Sequence, residues 1–272
     1  MTILVTGATG TVGRHVVDQL LRRGQKVRAL TRNPQAILPE GVEIAVGDLS
    51  DPSTLDAAFE GVTAIHLMTT GAEYVPLQTG LEIVALAKKA GVRKVTVLWT
   101  GEKGSVEQAV EASDLEWTQL QPVEFMSNVR KWTDSISKEG IVRDLFSGSL
   151  NASVHEADIG RVAAVALTED GHAGKEYILT GPEVLSVTDQ VRIIGEAIGQ
   201  TLTLLETTEE EEREQMRKMG VREDVINFVI SWHLNPPPIA YTVLPTIEEV
   251  LGQPAYTFKQ WAEENASYFI KS

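Results

Sequence analysis

Residues 1–24 read MTILVTGATGTVGRHVVDQLLRRG. Residues 3–6 form a short apolar, β-favouring run, and Val12, Val16, Val17, Leu20 and Leu21 then recur at helical spacing until Gly24 ends the pattern. Gly7, Gly10 and Gly13 therefore occupy a strand-to-helix turn. A helix N-terminus aims unpaired N–H groups outward and carries partial positive charge, so it accepts a phosphate wherever no side chain blocks the approach. In that role Gly7 permits the tight turn, Gly10 the close approach of a pyrophosphate and Gly13 the packing of helix on strand. The spacing G-x-x-G-x-x-G is one residue wider at its start than the common dinucleotide fingerprint, so it is the strand–turn–helix setting that gives it weight.

Outward from this turn, strand and helix alternate. KVRAL (26–30) and VEIAVGDLSD (42–51) read as the second and third strands, and STLDAAFEG (53–61) as a helix capped by Ser53. TAIHLM (63–68), RKVTVLW (93–99) and EWTQLQP (116–122) read as further strands, separated by the helices LQTGLEIVALAKKAG (77–91) and SVEQAVEASD (105–114). Such alternation predicts an α/β fold with a doubly wound parallel sheet, whose ligands bind at the carboxyl ends of the strands. After about Pro122 the rhythm changes. Helices over 157–170, 186–199 (capped by Ser186), from 209, over 222–233 and over 257–270, with short strands over 175–181 and 201–208, predict a smaller C-terminal α+β lobe. The expected division is a main dinucleotide-binding domain over 1–150 and a substrate lobe over 151–272, some of whose elements return to the first domain.

The chain has 272 residues, 43% of them hydrophobic, enough for a large core. It has no cysteine, which excludes disulfides, thiolate catalysis and cysteine zinc sites. The net charge of −14 opposes non-specific nucleic-acid binding. With no apolar run of membrane-spanning length and an opening that enters a strand directly instead of a signal peptide, the expectation is a cytoplasmic protein that binds neither membrane nor nucleic acid.

The end of the second strand selects the cofactor. An acid there holds the ribose 2′-hydroxyl of NAD, whereas an arginine holds the 2′-phosphate of NADP. The segment is ALTRNP, with Thr31, Arg32 and Asn33 and no acid, which favours NADP(H) and leaves NAD(H) possible.

TGATGTVG, RALTRNP, GDLSDPSTLDAAFEGV, AGVRKVTVLWT, SDLEWTQLQPVEFMSN and TGPEVLSVTDQVRIIGEAIG resemble the NmrA-like branch of the atypical short-chain dehydrogenases/reductases, over nearly the whole chain. The resemblance implies a Rossmann fold and either a reductase of quinones and related small molecules or a redox-sensing regulator. It implies that Gly7, Thr9, Gly10, Thr11 and Val12 cradle the pyrophosphate, Arg32 the ribose phosphate, and Asp48 and Leu49 the adenine. Met68, Thr69, Trp99 and Thr100 then approach the nicotinamide ribose, Pro122 the nicotinamide, and Val123, Glu124 and Phe125 the substrate. Asp48 also suits a plain turn in GDLSDP.

The wider superfamily moves protons with a tyrosine and a lysine four residues later, the lysine lowering the phenol pKa. None of Tyr74, Tyr177, Tyr241, Tyr256 and Tyr268 has that lysine. Lys103 stands in the region where NmrA-like reductases often carry one, near Glu107 if both are helical, but it reads as a surface loop residue; Gln121 replaces the family's frequent arginine. No catalytic residue is therefore assigned. HEAD at 155–158 suggests metal ligands only loosely, since Asp158 suits a helix cap, and no metal is expected. Phe125, Met126 and Trp132 either line a pocket for a flat apolar substrate or pack an ordinary core. The expected activity is NADP(H)-dependent hydride transfer to a small, quinone-like acceptor; the alternative is a non-catalytic NADP-binding sensor acting on a protein partner.

Overall fold

A computed structural model describes residues 1–71, 75–99, 101 and 103–270. The elements follow in the order β1 (Thr2–Thr6), α1 (Gly13–Arg22), β2 (Lys26–Thr31), β3 (Glu43–Val46), α2 (Asp56–Phe59), β4 (Val62–Met68), α3 (Gly80–Ala90), β5 (Lys94–Leu98), α4 (Ser105–Glu111) and β6 (Glu116–Pro122). Then come α5 (Thr133–Glu139), β7 (Ile141–Asp144), β8 (Leu150–Asn151), α6 (Glu156–Thr168), β9 (Lys175–Leu179), β10 (Leu185–Ser186), α7 (Val187–Ile198) and β11 (Thr203–Glu206). The last are α8 (Glu209–Lys218), α9 (Glu223–Leu234), α10 (Thr246–Leu251) and α11 (Phe258–Glu264).

The chain divides into two compact units. The first comprises Met1–Pro122, Glu156–Leu179 and Thr246–Gln253. Among the described residues its sheet has seven strands in the order β3-β2-β1-β4-β5-β6-β9, and every pair is parallel. Ile3, Leu4 and Val5 of β1 and Ala64, Ile65 and Leu67 of β4 are buried, as strands covered on both faces must be. α1 buries Val16, Val17 and Leu20, the helical stripe that the spacing predicts. α6 lies against α1 so closely that a Cβ on Gly160 would fall 2.7 Å from the backbone carbon of His15.

The second unit comprises Val123–His155, Thr180–Pro245 and Pro254–Ser272. Parallel β7 and β11 form one two-stranded ladder, antiparallel β8 and β10 another. One core gathers Met126, Trp132, Ile136, Ile194, Phe258 and Trp261, and a second joins Phe146 to Met216, Ile226 and Ile230.

KEYILTG, grouped with the smaller lobe by its place in the chain, is one of the elements that return to the first domain: residues 175–179 are the edge strand β9 of the large sheet, paired with β6. Three local expectations differ. The change of unit falls after Pro122, not at 150, because residues 123–155 cluster with later segments. Ser53 does not cap α2: Asp51 accepts the Ser53 N–H at the head of a 3₁₀ turn, and α2 starts at Asp56. Asp158 lies inside α6, buried and bonded to Arg161 at 2.8 Å, since the helix already begins at Glu156. Ser186 does cap α7, by accepting the Asp189 N–H.

Candidate functional site

In the first unit the strand order turns back between β1 and β4, and it is at such a reversal that the loops following neighbouring strands diverge and open a crevice. Gly7 follows β1 with φ +61°, a left-handed conformation open to glycine, and a Cβ there would sit 2.1 Å from Met68 Sδ. The Gly10 N–H donates to the Gly7 carbonyl at 2.8 Å, and a Cβ on Gly13 would fall 2.1 Å from that same oxygen. Gly7 and Gly13 are thus parts of one steric device: each stands where Met68 or another part of the turn already fills the space. Thr9, Gly10 and Thr11 face solvent and Val12 is buried. No acid stands in the first turn of α1 and no side chain caps it, so the turn fits a diphosphate.

Arg32 is exposed just past β2. Asp48 accepts from the Ser50 hydroxyl at 2.6 Å and the Ser50 N–H at 2.9 Å. Those two bonds, with the Arg32 charge a smaller contribution, hold its carboxyl below the ordinary value. Asp48 is therefore a turn residue that also feels Arg32. Leu49 is buried, and its carbonyl accepts the Thr79 hydroxyl at 2.6 Å.

Met68 ends β4, where the Thr6 hydroxyl ties the strand ends together by donating to the His66 carbonyl at 3.0 Å and accepting the Met68 N–H at 2.8 Å. Thr69 follows, its carbonyl accepting the Leu77 N–H at 2.9 Å. Against it lies a residue the sequence does not single out for this place, Glu107. It is 1% exposed, and burial raises its carboxyl above the ordinary value although the Gly104 N–H and the Thr69 hydroxyl pull the other way. Its only early signal is a glutamate at the third position of α4, where a carboxylate reaches back to a helix-start N–H; here Oε2 accepts from Gly104 at 3.1 Å. Trp99 is half-buried after β5, with its N–H donating to the Leu120 carbonyl at 3.0 Å, and Pro122 ends β6. Thr100 lies outside the described residues.

Within the second unit, Phe125 pairs with Val154 and the Val154 N–H donates to the Glu124 carbonyl at 2.8 Å. Val123 and Phe125 are half-buried. The Glu124 carboxylate accepts from the side-chain amides of Asn128 and Asn151, and His233 Nε2 lies 3.8 Å from its Oε1. Met126 and Trp132 are core residues, and the Trp132 indole donates to Asp144 at 3.1 Å, which decides their role in favour of packing.

The acid–base candidates are otherwise engaged. Lys103 pairs with Glu111 at 2.8 Å on the surface, not with Glu107. The Tyr177 hydroxyl is 2.8 Å from His172 Nδ1, and burial pushes that phenol above its ordinary value, away from neutral pH. Among the described residues no cluster of three or more histidine or acidic side chains could hold a metal ion, and no helix is long and apolar enough to cross a membrane.

The NmrA-like family model matches residues 1–231. The (4-alkanoyl-5-oxo-2,5-dihydrofuran-3-yl)methyl phosphate reductase of Streptomyces griseus is 33% identical over 98% of this chain and 99% of its own. The NAD(P)H azoreductase of Xenophilus azovorans is 32% identical, again over 98% of this chain and 99% of its own. The crystal structure of the NADPH-dependent quinone oxidoreductase of Escherichia coli in complex with NADPH superposes with a TM-score of 0.78, covering 97% of this chain and 99% of that one. At 21% identity that likeness speaks to the fold.

Proposed function

The chain belongs to the NmrA-like family, and from that premise we propose that it is an NADP(H)-dependent reductase of a small, quinone-like acceptor. The observation that carries the reading is the cradle at the β1–β4 reversal, closed to side chains at Gly7 and Gly13, with Arg32 and no acid at the end of β2. That the two relatives described above, each covered over 99% of its length, are named as reductases supports the chemistry.

In this reading Gly7, Thr9, Gly10, Thr11 and Val12 hold the pyrophosphate on backbone N–H groups, and Arg32 binds the 2′-phosphate. Asp48 and Leu49 border the adenine; Met68, Thr69, Trp99, Thr100 and Pro122 border the nicotinamide end; Val123, Glu124 and Phe125 border the acceptor. The bound cofactor supplies hydride, and the acceptor completes its two-electron reduction with a proton from water. The protein's contribution is orientation, which suffices where no side-chain acid is required. Thr69, fixed through its carbonyl to Leu77 and beside Glu107, supplies part of that rigidity.

Calorimetric titration with NADPH and NADH, followed by the absorbance of the reduced cofactor on adding quinones, tests this reading. Arg32→Ala should weaken NADPH roughly ten- to a hundredfold, as loss of a charge-assisted bond implies, and NADH hardly at all. Equal losses would remove the cofactor assignment. Tight NADPH binding without oxidation by any quinone would favour the sensor.

A further inference from the structure

Glu107 is held where a glutamate is costly. Its helix is firmly seated: Val106 and Val110 are fully buried, and the Gly80 N–H at the start of α3 donates to the Ser105 hydroxyl at 3.0 Å. A Cβ on Gly80 would fall 2.2 Å from the Ser105 carbonyl oxygen, so α3 and α4 touch backbone to backbone. Between the two valines, Glu107 is buried with them, and its Oε2 accepts the Gly104 N–H. Capping explains that bond but not the burial. Glu211 makes the same kind of bond at the start of α8, accepting the Thr208 N–H at 2.8 Å, and stays exposed.

The other oxygen, Oε1, is enclosed, and among the described residues no donor completes a hydrogen bond to it. No cation answers it either, because Lys103 is spent on Glu111. A buried carboxylate lacking both is expensive, and a proton on it removes the cost. The Thr69 hydroxyl lies beside the carboxyl, and its own proton has the Leu98 carbonyl, at the end of β5, as acceptor at 3.4 Å. A protonated Oε1 donates to the Thr69 oxygen and completes a chain from Gly104 through Glu107 and Thr69 to Leu98. That chain ties the start of α4 to the ends of β4 and β5. An ionised carboxylate instead competes with Leu98 for the Thr69 proton.

The charges around the group all leave this contest to the proton. Glu111, on the same helix, opposes ionisation. The charged side chains of α3, Glu82, Lys88 and Lys89, are exposed, and β4 and β5 present the uncharged Thr69 and Leu98.

We propose that Glu107 is a positioning residue of the cofactor site: carrying a proton it fixes Thr69 for the nicotinamide end, ionised it releases Thr69, and cofactor binding is thereby linked to proton uptake. The proposal rests on the NADP(H) reading and adds a control to it. The sign follows from both contributions, since the protonated form holds the strand ends together and an anionic dinucleotide disfavours a second negative charge nearby. NADPH binding therefore takes up a proton and weakens as pH rises.

Calorimetric titration of the full chain with NADPH, in two buffers of different ionisation enthalpy and from about pH 5 to about pH 8, reads affinity and proton uptake together. The comparison is with Glu107→Gln, whose amide is neutral throughout, accepts from Gly104 and donates to Thr69. Titration of the cofactor's own 2′-phosphate is common to both proteins. Across this range the wild type should lose roughly fivefold more affinity than Glu107→Gln and take up a proton that the variant does not. Glu107→Ala, which breaks the chain, should bind NADPH roughly fivefold more weakly than Glu107→Gln at about pH 5. Equal pH dependence and equal proton uptake in the wild type and Glu107→Gln would overturn the proposal. So would a Glu107→Gln protein that melts as the wild type does yet binds as weakly as Glu107→Ala, since the carboxylate charge would then be what matters. If Glu107→Ala does not fold, the wild type and Glu107→Gln decide alone. A wild type that binds no NADPH at any pH overturns the cofactor reading itself, and this inference with it.

Discussion

His66 sits in β4 with 1% of its surface exposed, and its Nδ1 lies 2.9 Å from the Thr96 hydroxyl on β5. Burial disfavours the imidazolium and lowers its pKa from 6.5 to about 4. The folded-state pKa is the lower one, so between these values the unfolded chain binds a proton that the folded chain refuses. Stability from this group is therefore complete above pH 6.5 and is lost as pH falls toward 4. The full loss is about 3 kcal/mol, from a shift of that size at 1.36 kcal/mol per pH unit. Urea unfolding between pH 7 and pH 4 should show it as a difference in slope between the wild type and His66→Gln, whose side chain stays neutral throughout. Identical slopes would mean that His66 accepts its proton in the folded state. Nothing in TAIHLM distinguishes such a histidine from an exposed one, because its burial comes from the strands on either side.

The β1–α1 turn works as an element because its glycines answer to one another and to Met68. Gly7→Ala meets two penalties, a positive φ and a Cβ at 2.1 Å from Met68 Sδ, and should destabilise by about 2–4 kcal/mol in denaturant titrations. Met68→Ala removes the second penalty but not the first, so the double variant should lose less than the two single losses added together. Simple additivity would show that the sulfur moves aside freely. Much of this turn was legible in the sequence, since the spacing of glycines against apolar periodicity gives strand, turn and helix. The partner of Gly7 was not, because Met68 lies sixty-one residues on and comes beside it only through the pairing of β1 with β4. Capping failed in the same way at residues 51–56, where Asp51 and Ser53 are both good capping types and only the local backbone shows that Asp51 serves. The Glu124–His233 approach is a longer-range case, joining residues that share no spacing pattern.

At the scale of the whole molecule, the chain passes between its two units after Pro122, His155, Leu179, Pro245 and Gln253. Periodicity named α6 and β9 correctly as helix and strand but could not say which sheet they join; a short strand led by Lys175 and Glu176 suits any sheet edge. The interleaving has a consequence for truncation. A fragment of residues 1–150 keeps β1 to β6 yet loses α6, which packs against α1, and β9, which pairs with β6. It also strands β7 without β11 and cuts β8 after Leu150, without its partner β10. Burial of Ile159, Val162, Val165 and Leu167 on α6, at about 1.5–3 kcal/mol for each side chain, is comparable with the about 5–15 kcal/mol that holds a typical domain folded. The fragment should therefore show no cooperative thermal transition by circular dichroism and no NADPH binding by calorimetry, although every glycine of the turn and Arg32 are present. A fragment that melts cooperatively and binds NADPH as the full chain does would mean that the returning elements cover the sheet without stabilising it. Loss of both properties would place the glycine turn's integrity in tertiary packing by the returning elements, α6 on α1 and β9 on β6, beyond the reach of the motif itself.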